Sequence, residues 1–173
     1  MDYLQLRNEA KDGDEKALEL LTQAAEKGNA DAQWNLGMCY GDLAYGGKSY
    51  EKDELYKKAA HWFGKAVEQG HSAAMNNFAS YFKDGCGGMP KDLTKAAELY
   101  CEAAKRGAQF ADYFLEELAN EGHTPAQKCM GDLKVKEKEY KEAAGWYTKA
   151  ANQGHDVAKE ILNTKFKKGV FGW

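Results

Sequence analysis

Apolar and small residues recur along this chain with a helical period, and each run of them stops at a glycine. Aligned on Gly28, Gly70, Gly107 and Gly154, four segments share one frame. Eleven positions before each glycine stands Ala17, Ala59, Ala96 or Ala143. Eight and seven before stand large pairs, Leu20-Leu21, Trp62-Phe63, Leu99-Tyr100 and Trp146-Tyr147. Four and three before stand small pairs, Ala24-Ala25, Ala66-Val67, Ala103-Ala104 and Ala150-Ala151. Offsets of three, four and seven fall on one helical face, and glycine favours the left-handed close of a helix. Each segment therefore predicts an amphipathic helix, type B, whose alanines let a neighbouring axis approach to the low end of the usual ~8–10 Å.

A second helix type lies between them. After Gly28 comes NADAQWNLGMCYGD and after Gly70 comes HSAAMNNFASYFKDG. In this A-type frame Ala32 and Ala74 precede Leu36 and Phe78, followed by the small Gly37 and Ala79 and then by Tyr40 and Phe82. After Gly122 the frame gives Ala126, Met130 and Gly131, with Lys134 in the aromatic's place. After Gly154 it gives Ala158, Leu162 and Phe166. The alternation predicts helices at 2–11, 14–27, 31–44, 53–69, 72–83, 92–106, 109–121, 124–135, 139–153 and 156–168. Segment 108–122, AQFADYFLEELANEG, satisfies both frames at once. It predicts one helix where a pair should stand, and hence an irregularity at 108–123.

The frame A-x-x-x-L-G-x-x-Y, a Gly-bearing loop, then D-x-x-K-A-x-x-W-Y-x-K-A-A-x-x-G resembles the Sel1-like repeat, a branch of the tetratricopeptide-like solenoids. Residues 72–107 match best, through DGCGGMPKDLTKAAELYCEAAKRG. Residues 31–70 match at ADAQWNLGMCY and KKAAHWFGKAVEQG around a longer loop at 41–52, and 123–154 match at YKEAAGWYTKAANQG with a short loop lacking glycine. The resemblance implies an all-α, right-handed superhelical α-solenoid and a single Sel1-like domain over 1–173. Its units are about 1–28, 29–70, 71–107, a degenerate 108–122, 123–154 and a capping helix at 155–173.

Composition narrows the function. Acids and bases are interspersed at net charge −3 over 173 residues, so no basic stripe of the kind nucleic acid requires is visible. No apolar run approaches the ~18 residues of a membrane span. The polar, acidic start MDYLQLRNEAKDGDEK lacks a signal-peptide core, which reads as cytoplasmic unless an export signal has been removed. Cys39, Cys86, Cys101 and Cys129 have no metal-ligand spacing, and a disulfide framework is not expected at this size.

Candidate chemistry is sparse. His71, His123 and His155 each follow a capping glycine, but equivalent places in stacked repeats are too far apart to share one ion with bonds of ~2 Å. They read as polar loop residues, and no metal or cofactor is expected. Cys86, in the loop KDGCGGMPKD, is the one cysteine in a plausible reactive setting, yet no motif supplies a base. An enzyme using Cys86 or loop 41–52 is the weakest of three readings. The leading one is a non-enzymatic scaffold or adaptor that binds an unidentified peptide or protein; the other is an exported factor recognising a host protein or cell-wall component.

In solenoids of this type the A helices line the concave side, so the resemblance implies partner contacts two residues before and two after the large A-type residue. The first set is Trp34, Asn76, Lys128 and Glu160, with Tyr113 if helix 109–121 takes an A slot. The second is Met38, Ser80, Asp132 and Thr164, with Glu117 on the same condition. Trp34 packing against the previous repeat, and solvated Lys128, Asp132 and Glu160, are the plain alternatives. In the tail FKKGVFGW, Phe166 should pack as the last A-type aromatic. Val170, Phe171 and Trp173 either fold back as a cap, leaving a monomer, or dock into a second molecule.

Overall fold

The computed structural model describes residues 1–46 and 49–167. Among these the chain forms ten α-helices and no strand. They are α1 (Tyr3–Lys11), α2 (Glu15–Glu26), α3 (Ala30–Gly46), α4 (Ser49–Glu68), α5 (Ser72–Asp84), α6 (Leu93–Lys105), α7 (Ala111–Asn120), α8 (Thr124–Lys136), α9 (Tyr140–Asn152) and α10 (Asp156–Ile161), the last followed by a π-helical turn over Leu162–Phe166. The helices group into two compact units, Met1–Asp92 and Leu93 onward, with the boundary between α5 and α6, inside the 71–107 repeat. The tail residues Val170, Phe171 and Trp173 lie outside the described residues.

The repeated bands are the core. Ala17, Ala59, Ala96 and Ala143 are buried, and so are the large residues four positions on, Leu21, Phe63, Tyr100 and Tyr147. Burying a side chain of that size stabilises by roughly 1.5–3 kcal/mol. The aligned glycines carry the expected left-handed backbone, at φ 89° for Gly28, 79° for Gly70, 77° for Gly107 and 92° for Gly154.

In the first unit α3 packs on α4 so closely that a Cβ on Gly37 would stand 2.7 Å from the Phe63 ring. That contact explains a glycine in mid-helix, where it costs about 1 kcal/mol against alanine. Leu21 and Ala25 of α2 meet Ala32 and Leu36 of α3. The loop expected over 41–52 is largely helix instead, since α3 runs to Gly46 and α4 begins at Ser49. Leu43 packs against Ala10, Ala17 and Cys39, and Ala44 is fully buried. The apolar face of α3 thus runs to Ala44, into the segment expected as loop, and no proline interrupts either side.

The second unit repeats that contact between α8 and α9. A Cβ on Gly131 would lie 2.6 Å from the Tyr147 ring. Tyr147, Ala150 and Ala158 form a cluster joined by Leu162 and Phe166, and the Phe166 ring stands 5.8 Å from that of Tyr147, as the A-type frame requires. The single helix foreseen near 109–121 is α7, and α6 packs against both α7 and α8. One expectation fails here: Cys101 of α6 and Cys129 of α8 form a disulfide, with Cα atoms 6.0 Å apart and 28 residues between them in sequence. The register of α6 against α8, which passes over α7, brings the two sulfurs together. No local spacing encodes that.

Candidate functional site

The three glycine-following histidines all begin helices. His71 Nδ1 accepts from the Ala74 amide at 3.1 Å, and His155 Nδ1 accepts from Ala158 at 3.3 Å. Both cap an A-type helix by the means Ser or Asp usually provides. His123 stands at the same place before α8 without a side-chain cap bond. With Nδ1 accepting, the His71 hydrogen sits on Nε2, which donates to Asp31 Oδ1 at 3.0 Å.

That histidine also fixes Trp34. The two rings stack at 5.2 Å, and the indole Nε1 donates to Asn77 Oδ1 at 2.8 Å. Trp34 is half-buried and tied to the following A-type helix, α5, rather than to the previous repeat. Met38, one turn along, is half-buried against the cluster of Ala59, Phe63 and Tyr81. Asn76 is partly buried, and its Oδ1 is enclosed with no hydrogen-bond partner. Ser80 donates to the Asn77 carbonyl at 2.6 Å. The first unit therefore brings Trp34, Met38, Asn76 and Ser80 onto adjoining turns of α3 and α5, with Asn77 as an unforeseen link.

In the second unit Lys128 and Asp132 pair with each other at 2.7 Å, and the Tyr147 hydroxyl donates to Asp132 at 2.8 Å. Burial first, and that hydrogen bond second, push the Tyr147 phenol above its ordinary value. Lys128 and Asp132 line a cleft of about 320 Å³ with Lys105, Pro125, Cys101 and Cys129. Glu160 and Thr164 are exposed on α10 and the turn after it, and the Thr164 hydroxyl donates to the Glu160 carbonyl at 2.7 Å.

Tyr113 is 63% exposed and lines a shallow cleft of about 410 Å³ with Glu117 and Asn120. Their condition was an A slot for α7, and the hydrogen bonding gives it the B role. Gln127 Nε2 of α8 donates to the Ala119 carbonyl at 3.0 Å, and Gln127 Oε1 accepts from Gln153 Nε2 at 2.7 Å. In the first unit Gln33 of α3 donates to the Ala25 carbonyl at 3.0 Å and accepts from Gln69 at 2.7 Å. Ala119 thus occupies the place of Ala25, near the end of a B-type helix. Tyr113 and Glu117 reach solvent from that helix. This glutamine relay, buried at Gln33 and Gln127 and exposed at Gln69 and Gln153, escaped the apolar frame, although Ala32-Gln33, Ala126-Gln127 and the pre-glycine Gln69 and Gln153 were visible as a repeat.

Burial and the Asp84 carboxylate raise the Cys86 thiol above its ordinary value, against thiolate formation. Cys39 is buried, and its thiol is pushed up to about 11. Among the described residues no group of three or more His, Cys, Asp or Glu is placed to hold a metal ion, and no helix is long and apolar enough to cross a membrane.

Paired helices, glycine-to-ring contacts and a repeated glutamine relay define a helix-pair repeat protein. The Sel1 repeat family matches at residues 9–29, 30–71, 72–107 and 129–155, and the chain belongs to it. The match resumes only at 129, beyond α7. The chain is similar to a chitin synthase regulator of Malassezia restricta, 30% identical over 152 residues, covering 87% of this chain and 9% of that protein. It is also similar to an exopolysaccharide production negative regulator of Rhizobium leguminosarum bv. viciae, 28% identical over 167 residues, covering 90% and 57%. The chain thus spans between 9% and 57% of these relatives' length. Among solved structures it is similar to a protective antigen of uropathogenic Escherichia coli displaying an SLR fold, with TM-score 0.45 and 29% identity over 88% of this chain and 36% of that one.

Proposed function

We propose that the chain is a protein-interaction scaffold that acts by binding a peptide or protein along its A-type helices, not by catalysis. The observation that carries this reading is that Lys128 and Asp132, at the frame places of Trp34 and Met38, line a cleft in the second unit. Membership of the Sel1 repeat family and the regulator names of two relatives support it. The ion pair offers a partner both signs of charge, while Trp34 and Met38 are residue types enriched in interface cores. The raised Cys86 thiol speaks against the enzymatic alternative.

Peptides selected by display on the full chain test the proposal. Trp34→Ala with Asn76→Ala, or Lys128→Ala, should weaken a selected peptide about tenfold, read by calorimetry. Unchanged affinity in both variants would remove the A-type surfaces from the reading.

The disulfide favours a second reading, in which the chain works in an oxidising compartment outside the cytoplasm. Trapping the thiols in living cells before lysis decides it. A largely oxidised Cys101–Cys129 pair supports export, and a largely reduced one supports the cytoplasm.

A further inference from the structure

The Cys101–Cys129 disulfide borders open space. Cys101 is 9% exposed and Cys129 is 3% exposed, and both line the cleft of about 320 Å³ among α6, α8 and the start of α10, where His155 and Val157 complete the wall. That volume falls in the range of small-molecule clefts, roughly 300–1,000 Å³. Lys105 and Lys128 stand in its wall beside Glu98 and Asp132. Asp132 already engages the Lys128 ammonium. Lys105 lies one helical turn beyond Cys101, on the same face of α6. The other cysteines, Cys39 and Cys86, are free thiols packed into the first unit.

We propose that this cleft is a thiol-exchange site, where a small anionic thiol opens the α6–α8 crosslink by attack on Cys101. Cys101 is the sulfur attacked because it is the more exposed of the two, and access selects the site of exchange. An incoming thiolate bonds to Cys101 Sγ as the Cys101–Cys129 bond breaks. The electron pair leaves on Cys129 Sγ, which takes a proton from water. A second thiolate attacks the mixed disulfide, releasing the external disulfide and freeing Cys101. Two thiols are oxidised and one protein disulfide is reduced. Lys105 draws the anionic reagent to the cleft and favours its thiolate. Opening the bond frees α6 from α8 on both flanks of α7, and so couples the surrounding redox state to the surface that carries Lys128 and Asp132. The exchange is measured with no peptide present, so its outcome is independent of the binding proposal.

The oxidised full chain is incubated with reduced glutathione, acid-quenched, alkylated and mapped by peptide mass spectrometry. Expected are a mixed disulfide on Cys101, with Cys129 alkylated, and bond opening at least tenfold faster than global unfolding measured by hydrogen exchange. Lys105→Gln should slow opening by glutathione about threefold, and by more than it slows opening by 2-mercaptoethanol, whose attacking thiolate carries one negative charge fewer. Opening no faster than unfolding would make the bond a sealed structural staple and overturn the proposal. An adduct mainly on Cys129, or equal slowing with both thiols, would overturn the assigned attack or the role of Lys105.

Discussion

The pairs α3–α4 and α8–α9 are copies of one packing unit that have drifted apart everywhere except along the line where they pack. Gly37 meets Phe63 as Gly131 meets Tyr147, and Gln33 bonds as Gln127 does. Away from that line they differ. Where α3 has Tyr40, beneath the Lys58 ammonium at 5.4 Å, α8 has Lys134, bonded to Glu139 at 2.6 Å and Glu137 at 3.1 Å. Where α3 has Asn35, with its Oδ1 buried and unpaired, α8 has the crosslinked Cys129. The comparison teaches that the close helix crossing and its glutamine relay set the repeat, while the adjoining positions are free to become charged, covalent or polar.

Removing what only the second pair possesses should have the largest effect. Replacing Cys101 and Cys129 together by Ser should lower the stability of the second unit by about 3–4 kcal/mol, the chain-entropy expectation for a loop of this size. Hydrogen exchange of α6–α8 against α2–α4 reads it, and equal loss in both would deny a local role. Next comes the shared contact. Gly37→Val and Gly131→Val should each cost about 2–3 kcal/mol through ring displacement, in step with one another in urea unfolding. A tolerated valine at either would break the equivalence.

The relay comes third. Gln33→Leu and Gln127→Leu each remove two hydrogen bonds, costing about 1–3 kcal/mol in all. The charged substitute is weaker and depends on pH. Lys134 holds the Glu139 carboxyl below its ordinary 4.5, and Glu139 and then Glu137 hold Lys134 above its ordinary 10.5. The Glu139 contribution is present above pH 4.5 and fades on acidification below it; the Lys134 contribution is present below pH 10.5 and fades above it. Lys134→Met should flatten both limbs of a Tm-against-pH curve that wild type bends. Last is Lys138, which holds φ 65° in the short turn after α8. Lys138→Gly should raise stability by up to about 1 kcal/mol.

Much of the fold was legible because an apolar period and a stopping glycine are local signals. Helix boundaries from Ser72 to Asn152 fall within two residues of expectation. The site was legible only in part. The frame located Lys128 and Asp132 at a cleft, but hid that Trp34 is tied to Asn77 and His71. It left α7 undecided, because both frames share Ala111 and Leu115 and only the bond from Gln127 separates them. The Cys101–Cys129 bond depends on how α6 lies against α8, a non-local property that spacing along the chain does not carry.

The same bond closes a covalent ring that runs through α7. A protease cutting at Phe110, which is exposed at 59% in a left-handed turn before α7, would sever the backbone without parting the pieces. Such a nicked chain would migrate as one band on a non-reducing gel and as two after reduction.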